Sequence, residues 1–442
     1  MSAENPVFAV ISQGCAANFG DGERIARALA TLHPDCRILF SLPEAKSTAQ
    51  GKPSQQVTPD AIYLNVCTVK GNAGALKLLR TASESFPDVP LFITGCAPKD
   101  FREEASRFTN NVAFTDLKEI SAAAGISDLV AESKIPMQGR ILRESPFTGI
   151  VNIEEGCLDA CAFCSTHLVK GRLKSYAPEG IVEQVKQLVA DGCSEIQLTG
   201  QDCACYGFDI GTNLAELTQD ILAHVPGDYR MRLGMGNPRH MQQYADSLWE
   251  CFQDDRLYKF IHIPVQSGSD RILKAMNRRH SASDFFRLAD EFNTRFPLAT
   301  LSTDLIVGFP GETDSDFEAT LQLLRNTRPT VCNITRFVAR PGTAAARMEA
   351  DTALRVPDRV KHERSAILAE AFQKIAQQNN SRWMGRECRV TAEKAGHRSG
   401  TSIARNEAYR PVALVGDIPA GKSLMVRITD AEPFALIGEK QD

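Results

Sequence analysis

Short runs of β-branched and aromatic residues alternate with stretches of helical period along most of this chain. In the first third, Val7-Phe8-Ala9-Val10-Ile11, Ala61-Ile62-Tyr63-Leu64-Asn65-Val66 and Leu91-Phe92-Ile93-Thr94 are near-continuous apolar runs, the pattern of strands buried on both faces. Gly22 to Leu32 and Ala73 to Ser83 lie between them with apolar positions on one helical face, so the region predicts an open α/β sheet with parallel strands. The alternation resumes further on, with strands expected at Glu195 to Thr199, Arg230 to Gly234, Lys259 to Val265, Thr300 to Val307 and Thr330 to Val338. Amphipathic stretches such as Pro178 to Ala190 and Ser315 to Leu324 separate them, and Val356 to Gln378 reads as one long closing helix. Repeated strand and helix of this kind predict a parallel sheet curled into a full or partial (β/α) barrel, with its active residues at the carboxyl ends of the strands.

Beyond Asn380 the texture changes to short β-like runs with glycine turns: Arg389 to Ala392, Ser402 to Arg405, Pro411 to Val415 and Leu424 to Ile428. Short strands at this spacing predict a small β-barrel. The expected division is therefore residues 1–132, a linker at 133–147, a central domain at 148–380 and a terminal barrel at 381–442, with Ser41 to Thr58 as an exposed loop rich in Ser, Gln, Lys and Pro.

Composition changes this picture little. With 43% hydrophobic and 24% charged residues the 442-residue chain is of ordinary soluble type. No run approaches the roughly 20 apolar residues of a membrane helix, and Met1 to Pro6 is unlike a secretory leader, so a cytoplasmic protein without a membrane partner is expected. A net charge of −4 predicts no general affinity for nucleic acid, leaving any such contact to local patches. The thirteen cysteines do change it: they are numerous for a protein that uses them only as core filler, and an odd count does not complete a disulfide framework.

Three of them form Cys157-Leu158-Asp159-Ala160-Cys161-Ala162-Phe163-Cys164, directly after the apolar run Gly149 to Ile153. A C-x3-C-x2-C loop can hold a 4Fe–4S cluster by three irons, and a missing fourth thiolate leaves one iron open to a small molecule. A zinc loop that recruits His167, or three unrelated buried thiols, are the competing readings of the same residues. Three further cysteines, Cys15, Cys67 and Cys96, each lie at or just beyond the end of a predicted N-terminal strand, where ligand sites of open α/β sheets gather. Buried cysteine as a small hydrophobe accounts for one such placement better than for three.

The triple-cysteine spacing, with Phe163 before its last thiol, resembles the radical S-adenosylmethionine (SAM) enzymes. The phrases Gly14-Cys15-Ala16-Ala17-Asn18, Asn65-Val66-Cys67-Thr68-Val69-Lys70 and Thr94-Gly95-Cys96-Ala97-Pro98 are similar to the N-terminal domain of the methylthiotransferases, and the terminal barrel resembles the TRAM domain. The resemblance implies two 4Fe–4S clusters, one on Cys157, Cys161 and Cys164 and an auxiliary one on Cys15, Cys67 and Cys96. It implies that SAM is cleaved to a 5′-deoxyadenosyl radical at the first, that the second delivers sulfur, and that a second SAM supplies methyl. Phe163, Gln201, Asp202, Arg232, Asn237, Gln266, Ser267, Asp304 and Phe309 match motif positions around SAM or the substrate; Arg340, Arg405, Tyr409 and Arg410 match positions expected to meet RNA. His262 is expected to be a hydrogen-bonded barrel histidine, and Cys203 and Cys205 non-ligands. The phrase from Arg405 to Ala413, with that around Cys15, resembles the branch acting on threonylcarbamoyladenosine 3′ of the anticodon; Gly71-Asn72 departs from the Asn-Pro pair of that branch. The implied partners are a tRNA anticodon stem-loop, an electron donor such as a flavodoxin or ferredoxin, and a sulfur donor. Methylthiolation of isopentenyladenosine or of a ribosomal-protein aspartate are alternatives within the family, and an iron–sulfur electron carrier or a zinc-dependent RNA-binding protein are alternatives outside it.

Overall fold

The computed structural model describes residues 5–43, 57–68, 72–108, 111–124 and 142–441. The central part of the expected exposed loop and most of the expected linker lie outside them, as do residues 69–71. No helix among the described residues is long and apolar enough to cross a membrane.

The chain begins β1 (Val7–Ser12), α1 (Ala16–Leu32), β2 (Arg37–Leu39), β3 (Ala61–Cys67), α2 (Ala73–Ser85), β4 (Leu91–Cys96), α3 (Lys99–Ala105), β5 (Val112–Phe114) and α4 (Leu117–Ala123). These strands form one parallel sheet in the order β2-β1-β3-β4-β5. Apolar side chains of β1, β3 and β4 fill the core on one face against α2 and α3, and on the other against α1 and α4. The short β2, β5, α3 and α4 were not expected from the sequence pattern.

The central elements are β6 (Thr148–Asn152), the two-residue β7 (Glu154–Glu155), α5 (Thr166–Lys170), β8 (Lys174–Ser175), α6 (Pro178–Ala190), β9 (Glu195–Thr199), α7 (Leu214–His224), β10 (Arg230–Leu233), α8 (Pro238–Met241), α9 (Ala245–Cys251), β11 (Phe260–His262), α10 (Asp270–Ala275), α11 (Ala282–Arg295), β12 (Thr300–Val307), α12 (Asp314–Thr327), β13 (Val331–Arg336), α13 (Ala344–Ala350) and α14 (Asp358–Ser381). Strands β6, β9 and β10 form one parallel run and β11, β12 and β13 another. Backbone bonds from Tyr258 N to Met231 O (2.9 Å) and from Gly236 N to His262 O (2.9 Å) join β10 to the β11 side, making an open partial barrel. Alternation sends Ile196, Leu198, Met231, Leu233, Ile261, Leu301 and Leu305 outward into the core beneath the helices. The other set of positions, Gln197, Arg232, His262, Asp304 and Asn333 among them, therefore lines the lumen.

The last elements, β14 (Glu387–Ala395), β15 (Thr401–Asn406), β16 (Pro411–Val415), β17 (Ser423–Ala431) and β18 (Leu436–Lys440), close a small barrel. The unexpected strand β18 completes it by pairing parallel with β16 and antiparallel with β17. The turn between β15 and β16 reaches the amino-terminal mouth of the partial barrel. Lys259 N donates to Glu407 O (2.8 Å), Thr300 Oγ1 donates to Ala408 O (2.6 Å), and the Tyr409 ring packs edge-on against Tyr258 and Phe260. Tyr409 holds a left-handed φ of 59°, with Asn406 Oδ1 accepting from Ala408 N (3.1 Å) and Arg410 N (2.9 Å) across the turn.

Candidate active site

The loop from Cys157 to Cys164 begins at the carboxyl end of the β6 side of the barrel. It is held by its backbone: Cys157 N donates to Gly171 O (3.3 Å), Cys164 N to Cys161 O (3.0 Å) and Ala162 N to Met276 O (2.9 Å). Gly156, at φ 82°, starts it where any Cβ would stand 2.1 Å from Arg172 O, so only glycine lets the two segments meet. The three thiols are half-buried and unpaired, and the described residues hold no disulfide. Two donors are aimed at sulfur, Asp159 N at Cys157 Sγ (3.3 Å) and Arg278 Nη1 at Cys161 Sγ (3.6 Å). Burial pushes the Cys161 thiol up to about 11, with the nearby Arg278 charge working against it.

Behind the loop lies a buried polar cluster from the ends of β9 and β10. Asp159 accepts from Asn237 Nδ2 (2.6 Å), from the Arg239 guanidinium and from His240 Nε2 (3.2 Å). Burial alone would raise its carboxyl, but the His240 hydrogen bond and the His240 and Arg239 charges hold it below the usual range. Asn237 caps α8 through Arg239 N (3.2 Å), and its own N–H donates to Asp202 Oδ1 (2.8 Å). Asp202 N in turn donates to Glu154 Oε1 (2.7 Å), and Gln201 Oε1 accepts from Gly156 N (2.7 Å). The ligating atoms of Cys157, Asp202 and Cys205 lie within 4.8 Å of one another.

The N-terminal cysteines converge as their strand-end positions suggest. Cys67 and Cys96 are register partners at the ends of β3 and β4, and Cys15 caps α1 just beyond β1. Gly14, at φ 107°, leaves no room for a Cβ, which would stand 2.7 Å from Cys67 Sγ. Burial pushes the Cys96 thiol up to about 12, and the charges of Cys67 and Cys15 reinforce the rise. Asn18 ties the ends of β1 and β3, donating to Gln13 O (2.6 Å) and Asn65 O (2.9 Å), while Asn65 Nδ2 donates back to Asn18 O (2.5 Å).

The two cysteine groups sit on facing domains joined by a polar seam. Helix α5, which begins two residues after Cys164, packs against β4. Its Lys170 pairs with Asp21 (2.8 Å) and Glu155 (3.5 Å) and lies near enough to Cys96 to lower that thiol's pKa. Asn152 Nδ2 donates to Asp21 Oδ1 (2.8 Å), and Arg24 Nη1 to Tyr176 Oη (3.1 Å).

Residues 151–324 match the Radical SAM superfamily and residues 382–440 the TRAM domain. A probable threonylcarbamoyladenosine tRNA methylthiotransferase from Archaeoglobus fulgidus is 41% identical over 67% of this chain and 68% of its own length. One of the same name from Pyrococcus abyssi is 34% identical over 96% of this chain and 97% of its own. The chain belongs to the threonylcarbamoyladenosine tRNA methylthiotransferase family. Among solved structures, a radical SAM methyltransferase from Kitasatospora setae shares the fold at a TM-score of 0.53 and 11% identity, over 75% of this chain and 73% of that one.

Membership in a radical SAM family implies a 4Fe–4S cluster and SAM. The thiol loop of this methylthiotransferase family member suits the cluster: three unpaired sulfurs, N–H and guanidinium donors directed at two of them, and no competing disulfide among the described residues.

The remaining expected site residues fall into three sets. Gln201, Asp202 and Asn237 join the cluster behind the loop. Asp304 and Arg232 line the lumen, Asp304 accepting from His262 Nε2 (3.0 Å) and Asn333 Nδ2 (2.7 Å), which makes His262 the hydrogen-bonded barrel histidine of the sequence reading. Gln266 takes a left-handed φ of 77° and bridges Asp304 and Ile306 by its backbone. Phe163 and Phe309 instead pack in one apolar group with Phe337 and Ala345, Phe309 fully buried, and Ser267 turns inward toward Thr320 (3.3 Å). Arg340 O accepts from Thr343, whose hydroxyl caps α13. Of the residues expected to meet RNA, Arg340, Arg405 and Tyr409 are half-buried and Arg410 is buried. Arg405 pairs with Glu393 (3.0 Å) over the Tyr409 ring, and Arg410 is only 5% exposed, its guanidinium bonded to Asn380 Oδ1 and Thr330 Oγ1 (3.1 Å). Asp159, Arg239, His240, Arg278 and Lys170 were not expected; the local signals were an acid inside the cysteine loop and the Asn-Pro helix start at Asn237.

Proposed function

We propose that this protein inserts a methylthio group at C2 of N6-threonylcarbamoyladenosine, 3′ of the anticodon in tRNA. The observation that carries the reading is the convergence of two cysteine triplets on facing domains across the Lys170–Asp21 seam, in a chain whose relatives bear that name. When bound, a cluster on Cys157, Cys161 and Cys164 supplies reductive cleavage of SAM, and a second on Cys15, Cys67 and Cys96 supplies sulfur. The chain's own residues hold the loops in place: Asp159 and Asn237 brace the first, Asn18 and Asn65 the second, and Lys170 fixes their separation. The lumen offers hydrogen-bonding groups to a base turned out of its stack, and exclusion of water there protects a radical from side reactions. A flavodoxin or ferredoxin is the expected electron donor, with a separate donor renewing the sulfur.

Mass spectrometry of tRNA nucleosides from a strain lacking this gene tests the proposal. The methylthio form of threonylcarbamoyladenosine should disappear while the unthiolated form accumulates. Loss of the mark from isopentenyladenosine alone would overturn the substrate, and intact marks on both would overturn the activity on tRNA.

A further inference from the structure

Among the described residues, the barrel lumen holds a cation that pairs with no anion. Arg232 projects inward from β10, its guanidinium 4.8 Å from the Phe260 ring centroid and 5.1 Å from that of Tyr409. Its Nε is buried without a hydrogen-bond partner, and the described residues give it no ion pair. The neighbouring acid is already engaged: Glu195 accepts from Gln197 Nε2 (2.6 Å), Tyr258 Oη (3.2 Å) and Tyr409 Oη (3.4 Å). Higher in the lumen, Asp304 is satisfied by His262 and Asn333. Two aromatic faces steady a guanidinium but leave its in-plane N–H donors unused, and those donors match a carboxylate in a paired geometry.

We infer that Arg232 is the receptor for the carboxylate of the substrate's threonylcarbamoyl group, with Phe260 and Tyr409 as its backing wall. The inference rests on the proposed function and adds to it a specificity determinant. Adenosine and isopentenyladenosine carry no anion at this position, so an unpaired lumen cation favours the threonylcarbamoyl base over both. SAM also carries a carboxylate, so the two sources must be separated by experiment.

The test uses the full-length, anaerobically reconstituted protein without SAM, and three anticodon stem-loops. One carries threonylcarbamoyladenosine, one the same base with its threonine carboxylate converted to the amide, and one plain adenosine. Wild-type protein should bind the carboxylate form about tenfold or more tighter than the amide, the scale of a charge-assisted pair, and Arg232→Gln should reduce that ratio to near one. The amide comparison is made on unaltered protein, so it stands even if the variant folds poorly. Equal wild-type affinity for acid and amide, in a protein that still methylthiolates the acid, overturns the receptor while leaving the proposed function intact. A ratio that survives Arg232→Gln, or a variant that loses SAM affinity and keeps the ratio, overturns it too. Failure of wild-type protein to methylthiolate the threonylcarbamoyl stem-loop under reducing conditions overturns both readings.

Discussion

Asp159 braces the cysteine loop, and removing its carboxylate should loosen that loop measurably. The Asp159→Ala change strips an acceptor from Asn237 Nδ2, Arg239 and His240 Nε2. Asn237 and His240 are 5% and 2% exposed and cannot turn to solvent, whereas Arg239 is partly exposed and can rehydrate. Two stranded buried donors at about 1–3 kcal/mol each sum to about 2–6 kcal/mol, and the loss of about 3–5 kcal/mol for breaking one side of a buried ion pair lies within that range. For a domain of this size that corresponds to a fall in Tm of about 6–20 °C. Asp159→Asn keeps one acceptor and the shape, so about 1–2 kcal/mol is expected. Thermal unfolding of metal-free protein measures both changes, and iron bound per chain after anaerobic reconstitution reports the loop itself. Asp159→Ala should hold less iron than Asp159→Asn, and both less than wild type. An alanine variant that melts within a few degrees of wild type and retains full iron would refute the brace.

Replacing Cys157 or Cys15 by Ala should each remove about four irons per chain and leave the other site filled; loss of all iron from either variant would show interdependent sites. Lys170→Met takes one charged partner from Asp21, which keeps Asn152 and Arg24, and should cost about 1–2 kcal/mol, visible as faster hydrogen exchange in α1 and α5; unchanged exchange in both would remove Lys170 as the tie. Arg410→Met should change Tm but leave the salt dependence of stem-loop binding as in wild type; a slope reduced by about one counterion would make Arg410 a phosphate contact instead. Burial, with the charge of Arg278 adding to it, holds the His280 imidazole down to about 3, against an ordinary value near 6.5. Its contribution to stability is therefore full above about pH 6.5 and is lost as pH falls toward 3, by up to about 1.4 kcal/mol per pH unit. His280→Gln should flatten that acid limb in denaturant titrations of metal-free protein, and an unaltered slope would place the protonating group elsewhere.

The strands that were legible are those whose apolar runs are continuous, such as Leu91 to Thr94 and Pro411 to Val415, or alternating, such as Arg389 to Ala392. The stretch Lys259 to Val265 yields only a three-residue strand, because Pro264 has no N–H to donate and Gln266 turns left-handed. Leu436 to Lys440 was missed because Gly438 and two charged residues mask its period; partners on both sides make it a strand. The cysteine loops were legible because their spacing is local. Their braces were not: Asp159 meets Asn237 and His240 across 78 and 81 residues, a proximity set by the barrel alone. Arg410 looked like a surface cation for the same reason, since Asn380 and Thr330, which enclose it, are remote in sequence. Burial pushes its guanidinium down to about 9, the cost of a cation that meets only neutral acceptors.

The turn that carries Tyr409 belongs to the terminal barrel and is also the floor of the central one. The C-terminal module therefore cannot swivel without lifting that floor away from Tyr258, Phe260 and Thr300. An RNA stem held by that module would be gripped as in a vice bolted to the bench, at a fixed reach from the cysteine loops. Lengthening the stem by one base pair should carry the target base out of reach, because no hinge is left to take up the difference.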